Sequence, residues 1–377
     1  MMHNTTNKYL ARGGIMSFIN SVGVGIPEHN LSQDEVKDLV QEVFPFSTDQ
    51  LAKYLPVFDN AEVKNRQFVV DKEWLKQDHS FKERNDLYQS HAHELTCEAV
   101  DHCLTNKDFL TEDVPYEAID MIIFVSSTGI ATPSLDVHLV NSRNFREDIN
   151  RMPLWGLGCA GGAIGLSRAF DWLTAHPKKT ALIVCCELCS LTFQKSDIKK
   201  SNLIGSALFG DGVSAVLAVG VDSPYLSFRK SNTPKITKTS SLTKKDSTSV
   251  MGWEVSDNGL EVIFSKSIPA LVHTFWEIHI QTFLNNLDLN ESMIHSFIAH
   301  PGGKKVLEAM RSVLQSSDSS KFANSYKVLA NHGNMSSATV FYVLYESMKE
   351  NTNKDDVSIL SALGPGFSSE LLLLEWN

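Results

Sequence analysis

Leu154-Trp155-Gly156-Leu157-Gly158-Cys159-Ala160-Gly161-Gly162 places a single thiol among glycines, at the point where a helical pattern begins. From Ala160 to Ala175, Ile164, Leu166, Phe170 and Leu173 approximate the helical repeat. Cys159 therefore stands at a helix N-terminus, where backbone N–H groups and the positive end of the dipole favour negative charge. Gly158, Gly161 and Gly162 remove side chains around the sulfur, so a bulky thioester can reach those N–H groups, the natural oxyanion site. A free thiol has a pKa of ~8.5, and a helix N-terminus beside a protonated imidazole lowers it by about two units. Two units are worth ~2.7 kcal/mol and make the thiolate the majority species at neutral pH.

The partners such a thiol needs lie far downstream. His300 stands in Ile298-Ala299-His300-Pro301-Gly302-Gly303, and Asn334 in Asn331-His332-Gly333-Asn334-Met335-Ser336-Ser337-Ala338. Thiol, imidazole and amide together point to covalent catalysis on an activated acyl group. They fall in different halves of the chain, so only a fold that sets the halves face to face can use them together. Taken singly, each has a structural reading: a hydrogen-bonded His at a strand end, and an Asn that caps a helix. His332 is a rival base, and spacing alone does not separate it from His300. Cys185, Cys186 and Cys189 end an apolar strand and read as small buried hydrophobes. Their Cys-Cys-x-x-Cys spacing lacks a second ligand cluster, so no metal site is expected.

Composition narrows the class. At 377 residues the chain exceeds one ordinary core, and two core units are expected. With 42% hydrophobic and 21% charged residues it reads as a soluble globular protein. A net charge of −10 gives no electrostatic footprint for nucleic acid or anionic membrane. No apolar run approaches the ~18–20 residues of a membrane span. Met1 to Gly14 is polar, without a signal-peptide core, and residues 1–15 read as a disordered extension before a strand carrying Phe18, Ile19, Val22 and Val24. The six cysteines show no disulfide framework, which fits a reduced cytoplasm.

Strands and helices alternate. Helices are expected over Leu31–Val43 (Ser32 as N-cap), Ser90–Cys103, Ala160–Ala175, Ile268–Leu284, Lys304–Leu314 and Met335–Glu350. Buried strands are expected over Ala118–Ser126, Ala181–Cys186, Val213–Val219, Ile294–Ala299, Val357–Leu363 and Ser369–Trp376. The Ser/Thr/Lys-rich stretch 225–250 reads either as a linker or as exposed antiparallel strands. The grammar implies an α/β protein of duplicated layers, residues 16–222 carrying the thiol and 223–377 carrying His and Asn.

Five motifs in order carry a resemblance: Trp155 to Gly162, Ala207-Leu208-Phe209-Gly210-Asp211-Gly212, Ile298 to Gly303, Gly333 to Ala338, and Gly364-Pro365-Gly366-Phe367. From Phe18 onward the chain resembles the type III polyketide synthases, the chalcone-synthase-like group of the thiolase fold, and most closely the bacillar alkylpyrone synthases. The resemblance implies a five-layered αβαβα sandwich, a homodimer, and Cys159, His300 and Asn334 as catalytic residues. Acyl-CoA and malonyl-CoA are the implied substrates, with no metal or organic cofactor and with lipid-like products. It also implies substrate contacts. Phe209 matches the first gatekeeper aromatic, Val262 (with Phe264 two residues on) the second, Thr192 the initiation cavity, and Trp253 a position that is small in plant enzymes. Gly302, Gly303, Gly364, Pro365 and Gly366 belong to the matching loops. Lys53 aligns with one CoA-phosphate contact, whereas Pro56 and Asn60 replace two others, leaving Lys64 and Arg66 as nearby candidates. The rival readings are a ketoacyl-ACP synthase of the fatty-acid initiation type and a non-catalytic acyl-binding member of the fold.

Overall fold

The computed structural model describes residues 16–314, 318–350 and 352–376. The extension expected over 1–15 lies outside the described residues. The strands in chain order are β1 (Ser17–Gly25), β2 (His29–Ser32), β3 (Asn65–Phe68), β4 (Met121–Val125), β5 (Asn150–Leu154), β6 (Thr180–Leu188) and β7 (Asp211–Gly220). They continue as β8 (Pro234–Thr243), β9 (Met251–Ser256), β10 (Gly259–Phe264), β11 (Ser296–Ala299), β12 (Val357–Gly364) and β13 (Ser368–Trp376). Nine of them form one sheet in the order β11-β12-β13-β8-β1-β7-β6-β4-β5. At its two ends β5, β4 and β6, and β12 with β11, run parallel, while the middle is antiparallel. Strands β4 and β6 are buried along their whole length, as their unbroken apolar runs require.

The segment 225–250 is not a linker. It supplies β8, seated between β1 and β13 and joined to β1 at Ser17↔Ile236 and Phe18↔Lys235. That short ladder holds the first-half strands to the second-half strands.

Two helices lie between the halves. Gly161–Ala175 packs on β4 and β6 on one side and on β12 and β13 on the other. Thr339–Met348 likewise touches β1 and β7 as well as β11 and β12. Leu166, Phe170, Val340 and Phe341 join Ile123, Ile183, Leu360 and Leu372 in one apolar cluster between the sheet faces. The Phe81–Thr105 helix covers the opposite face of β1, β6 and β7, and Glu277–Asn285 lies on β13. Helix, sheet, helix, sheet and helix are thus stacked in five layers.

Three helices differ from expectation. The one read over Ser90–Cys103 begins at Phe81, because Ser80 and Glu83 form a capping box ahead of a polar first turn. The one read over Ile268–Leu284 is interrupted by a π-turn, Val272–Trp276, where Phe275 and Trp276 are both buried. The one read from Met335 opens as a 3₁₀ turn, Ser336–Ala338, and turns α-helical only at Thr339.

Candidate active site

Cys159 occupies a 3₁₀ turn, Gly158–Ala160, that leads into the Gly161–Ala175 helix, and only 6% of it is exposed. Asn334 arrives from the other half through backbone pairing with the end of the Lys200–Leu208 helix. Its N–H donates to Leu208 O at 2.8 Å, and Gly210 N–H donates to Asn334 O at 3.1 Å. The Asn334 amide then lies 3.9 Å from Cys159 Sγ. Its two amide atoms are equidistant from sulfur, so the neutral thiol can donate to Oδ1 and Nδ2 can donate to a thiolate, while the N–H of Ser336 also donates to Oδ1 at 2.9 Å. Ser336 reaches that position with φ at 48°, a left-handed conformation uncommon outside glycine.

His300 continues the β11–β12 ladder, its N–H donating to Ser361 O at 2.7 Å. Only 3% of the residue is exposed, and neither ring nitrogen has a partner among the described residues. Ala299, its neighbour, shares an apolar cluster with Cys159. The rival His332 is engaged elsewhere: its Nδ1 shares a hydrogen bond of 2.7 Å with Gln67 Oε1, and its ring lies 5.1 Å from that of Tyr342.

Burial dominates the electrostatics. It pushes the Cys159 thiol up to about 11 and the His300 imidazole down to about 3, against the lowering expected from the helix N-terminus. A lone charge on either group is therefore unfavourable, and both rest neutral near pH 7. Behind the site Glu187 is fully buried, its carboxyl raised to about 7 by desolvation. Ser127 N–H donates to Oε2 at 3.0 Å and Ser337 Oγ to Oε1 at 2.5 Å.

Cys159 opens on a pocket walled by Phe209, Trp253, Val262, Phe264, Met251, Ser336 and Pro365. Trp253 and Val262 stand directly opposite each other on β9 and β10. The Phe209 ring lies 6.3 Å from Trp253 and 6.5 Å from Phe264. Thr192 is not on this wall; it lines an adjoining cavity, and its hydroxyl donates to Cys189 O at 2.8 Å. Gly302 and Gly303 follow His300, with Gly303 against Leu208. Gly364 lets the end of β12 pass beneath the thiol turn, since a Cβ there would come within 2.7 Å of Ala160 N and 2.8 Å of Leu157 O. Gly366 lies just past Pro365, and its carbonyl accepts from Ser247 Oγ at 2.6 Å.

The basic candidates divide. Lys53 is exposed on the short Thr48–Tyr54 helix, 5.7 Å over the Tyr54 ring, and Lys64 is exposed as well. Arg66 is no surface cation. It is wholly buried and donates to the carbonyls of Ser206, Phe209 and Ala207 at 2.8, 3.1 and 3.0 Å. It thereby clamps the C-terminal end of the Lys200–Leu208 helix, where a cation meets the negative end of the dipole. Sequence reading missed this role, and those of Glu187, Ser127, Ser337 and Cys189. For Arg66 the sequence carried no signal, since Asn65-Arg66-Gln67-Phe68 shows no apolar alternation and the burial is a property of the fold. For Glu187 the signal was a carboxylate prolonging an apolar strand.

Residues 2–223 match the family described as chalcone and stilbene synthases, N-terminal domain, and residues 238–376 match its C-terminal domain. The chain belongs to this family. It is 42% identical over 363 residues to a Bacillus subtilis (strain 168) protein that bears the provisional name chalcone synthase, covering 96% of this chain and 99% of that one. It is 33% identical over 360 residues to the 1,3,6,8-tetrahydroxynaphthalene synthase of Streptomyces peucetius subsp. caesius, covering 95% and 93%. The crystal structure of 1,3,6,8-tetrahydroxynaphthalene synthase from Streptomyces coelicolor A3(2), a bacterial type III polyketide synthase, superposes with a TM-score of 0.87 at 27% identity, covering 96% of this chain and 99% of that one. The chain is accordingly a type III polyketide synthase of the thiolase fold, a condensing acyltransferase.

Proposed function

We propose that Cys159 carries a long-chain fatty acyl group through repeated condensations with malonyl-CoA, and that the chain is released as an alkylpyrone. The Cys159 thiol gives its proton to His300 as sulfur attacks the starter thioester; the acyl group passes to sulfur and CoA leaves. Moving one proton from sulfur to imidazole brings in both charges at once, so the pair avoids the cost that burial sets on either ion alone. Malonyl-CoA then loses CO₂, and the electron pair of the broken C–C bond becomes an enolate held by His300 and the Asn334 amide. The enolate carbon attacks the acyl carbonyl, sulfur leaves as the thiolate, and a β-ketoacyl-CoA is formed. Further rounds lengthen the chain, and an enol oxygen closes on the thioester to form the pyrone ring and expel the thiol.

The observation that carries this reading is the Asn334 amide 3.9 Å from Cys159 Sγ, able to donate to it through Nδ2, together with a buried imidazole whose two nitrogens are unspent. The aromatic and aliphatic wall of the cavity supports an alkyl starter. We also propose a homodimer. Strand β5 leaves its outer edge unpaired among the described residues, and Trp155 (55% exposed) and Ile130 (45%) stand beside it.

Incubation with radiolabelled malonyl-CoA and a panel of acyl-CoA starters, with Cys159→Ala as control, tests the function. Alkylpyrones from long-chain starters are expected. A polyhydroxylated aromatic made from malonyl-CoA alone would replace the alkyl reading, and a requirement for malonyl-ACP would favour a ketoacyl synthase.

A further inference from the structure

The β9–β10 hairpin supplies Trp253, Val262 and Phe264 to the wall of the Cys159 pocket, yet it does not belong to the nine-stranded sheet. A two-stranded ribbon is marginally stable by itself, so its place over the pocket depends on what ties it down. It packs on the Lys200–Leu208 helix and the Cys189–Thr192 turn, and Ser265 N–H closes its open end by donating to Val250 O at 2.9 Å. Two polar ties join it to the segment that precedes that helix. Gln194 Nε2 donates to Asn258 O, in the hairpin turn, at 3.0 Å, and Asn202 Nδ2 holds Gln194 O at 2.6 Å. Lys199 makes the second tie, its Nζ lying 2.7 Å from Glu261 Oε2 and 3.5 Å from Glu254 Oε2.

Glu254 and Glu261 stand directly opposite each other on the two strands, one register step from the Trp253–Val262 pair. Successive residues of a strand face opposite ways, so the carboxylates occupy one face of the hairpin and Trp253 and Val262 the other. Like charges directly opposite push a ribbon apart. Among the described residues neither carboxylate has another ion-pair partner, and Asp197 adds a third negative charge near the Lys199 ammonium. The bond from Lys199 holds the Glu261 carboxyl below its usual range, and the same bond raises Lys199. With its side chain only 16% exposed, Glu261 is screened by water less than an ordinary surface partner.

We infer that Lys199 is a positioning residue for the active-site wall. By bridging the two strands across their facing carboxylates it keeps Trp253 and Val262 closed over the Cys159 pocket, and charge on the hairpin's far face thereby sets how bulky a starter the pocket takes. The kinetic consequence rests on the acyl-CoA starter reading above; the clamp itself does not.

Two measurements test it. In wild type, hydrogen exchange of the β9 and β10 amides should quicken about fivefold between about 0.05 M and about 1 M salt, where the screening length falls to ~3 Å, while β4 and β6 amides keep their rates. Unchanged hairpin exchange overturns the clamp, and that result depends on no variant folding. In kinetics, the ratio of kcat/KM for benzoyl-CoA over hexanoyl-CoA should rise about fivefold in Lys199→Glu and return to within about twofold of wild type when Glu261→Lys is added. A rise of less than about twofold in Lys199→Glu, or one that the added Glu261→Lys leaves in place, overturns the inference. A wild type that turns over neither thioester overturns the starter reading itself, and the exchange measurement still decides the clamp.

Discussion

Both atoms of the Asn334 amide lie 3.9 Å from Cys159 Sγ, and Oδ1 also accepts from the Ser336 N–H at 2.9 Å. Once sulfur has lost its proton only Nδ2 can bond to it, so the residue is a hydrogen-bond donor toward any negative charge that develops there. Ser336 adopts a left-handed backbone at φ 48°, which the bond to Asn334 helps to hold.

Asn334→Asp is therefore a sharper probe than its size suggests. It keeps the bond from Ser336 but turns an acceptor, and a negative charge, toward sulfur. Malonyl-CoA consumption should fall about 10²–10³-fold, as for loss of an oxyanion donor, and as far as in Asn334→Ala. An Asp variant within threefold of wild type would show that the donor is not used.

The proposed proton transfer from Cys159 to His300 makes the two ionise as a pair, and pH separates that arrangement from independent ionisation. In wild type, carboxymethylation of Cys159 by iodoacetamide should be nearly flat from pH 6.5 to 8.5, because thiolate and imidazolium form as a pair. In His300→Ala burial alone sets the thiol, raised toward about 11, so the rate should climb about tenfold per pH unit over that range. Equal slopes in the two proteins would contradict the pairing.

Arg66 links the fold to the cavity wall. Arg66→Met leaves the carbonyls of Ser206 and Phe209 without their donor and Ala207 O with only Gln33 Nε2, which costs ~2–4 kcal/mol. A thermal unfolding midpoint several degrees below wild type is expected, with altered starter preference because Phe209 loses its clamp. An unchanged midpoint would refute the clamp.

Glu187 carries a pH signature of definite sign. Its carboxyl is raised from 4.5 to about 7, so the native state holds its proton more tightly than the unfolded chain does. Its contribution is fully present below about pH 4.5 and lost as pH rises through 7. Glu187→Gln should remove that slope, shrinking the fall in stability between pH 5 and 8 by up to about 3 kcal/mol in urea titrations. Asp211, raised in the same direction to about 7, supplies a parallel slope in both proteins and cancels in the difference.

How much of this was legible in the sequence depended on the range of the interaction. The Cys159 turn, its helix and the buried strands β4 and β6 follow from local pattern, since glycine content and apolar runs act within a few residues. The choice of His300 over His332 was open to local reading, because what engages His332 is Gln67, 265 positions away. Arg66 stood as a candidate CoA-phosphate contact for the same reason: the carbonyls that satisfy it lie about 140 residues on. The π-turn at Val272–Trp276 and the late start of the helix after Met335 answer to tertiary packing and to the Ser336 bond, which no periodicity records. Stretch 225–250 hid a central strand because β8 is polar on alternate residues and gains its place only from β1 and β13.

The central claim is that Cys159 holds the acyl chain, and intact-protein mass spectrometry tests it most directly. After brief exposure to dodecanoyl-CoA without malonyl-CoA, wild type should gain one dodecanoyl mass, mapped to the Cys159 peptide, while Cys159→Ala gains none. An adduct of equal yield in Cys159→Ala, or one mapped to Cys189 in wild type, would contradict the account.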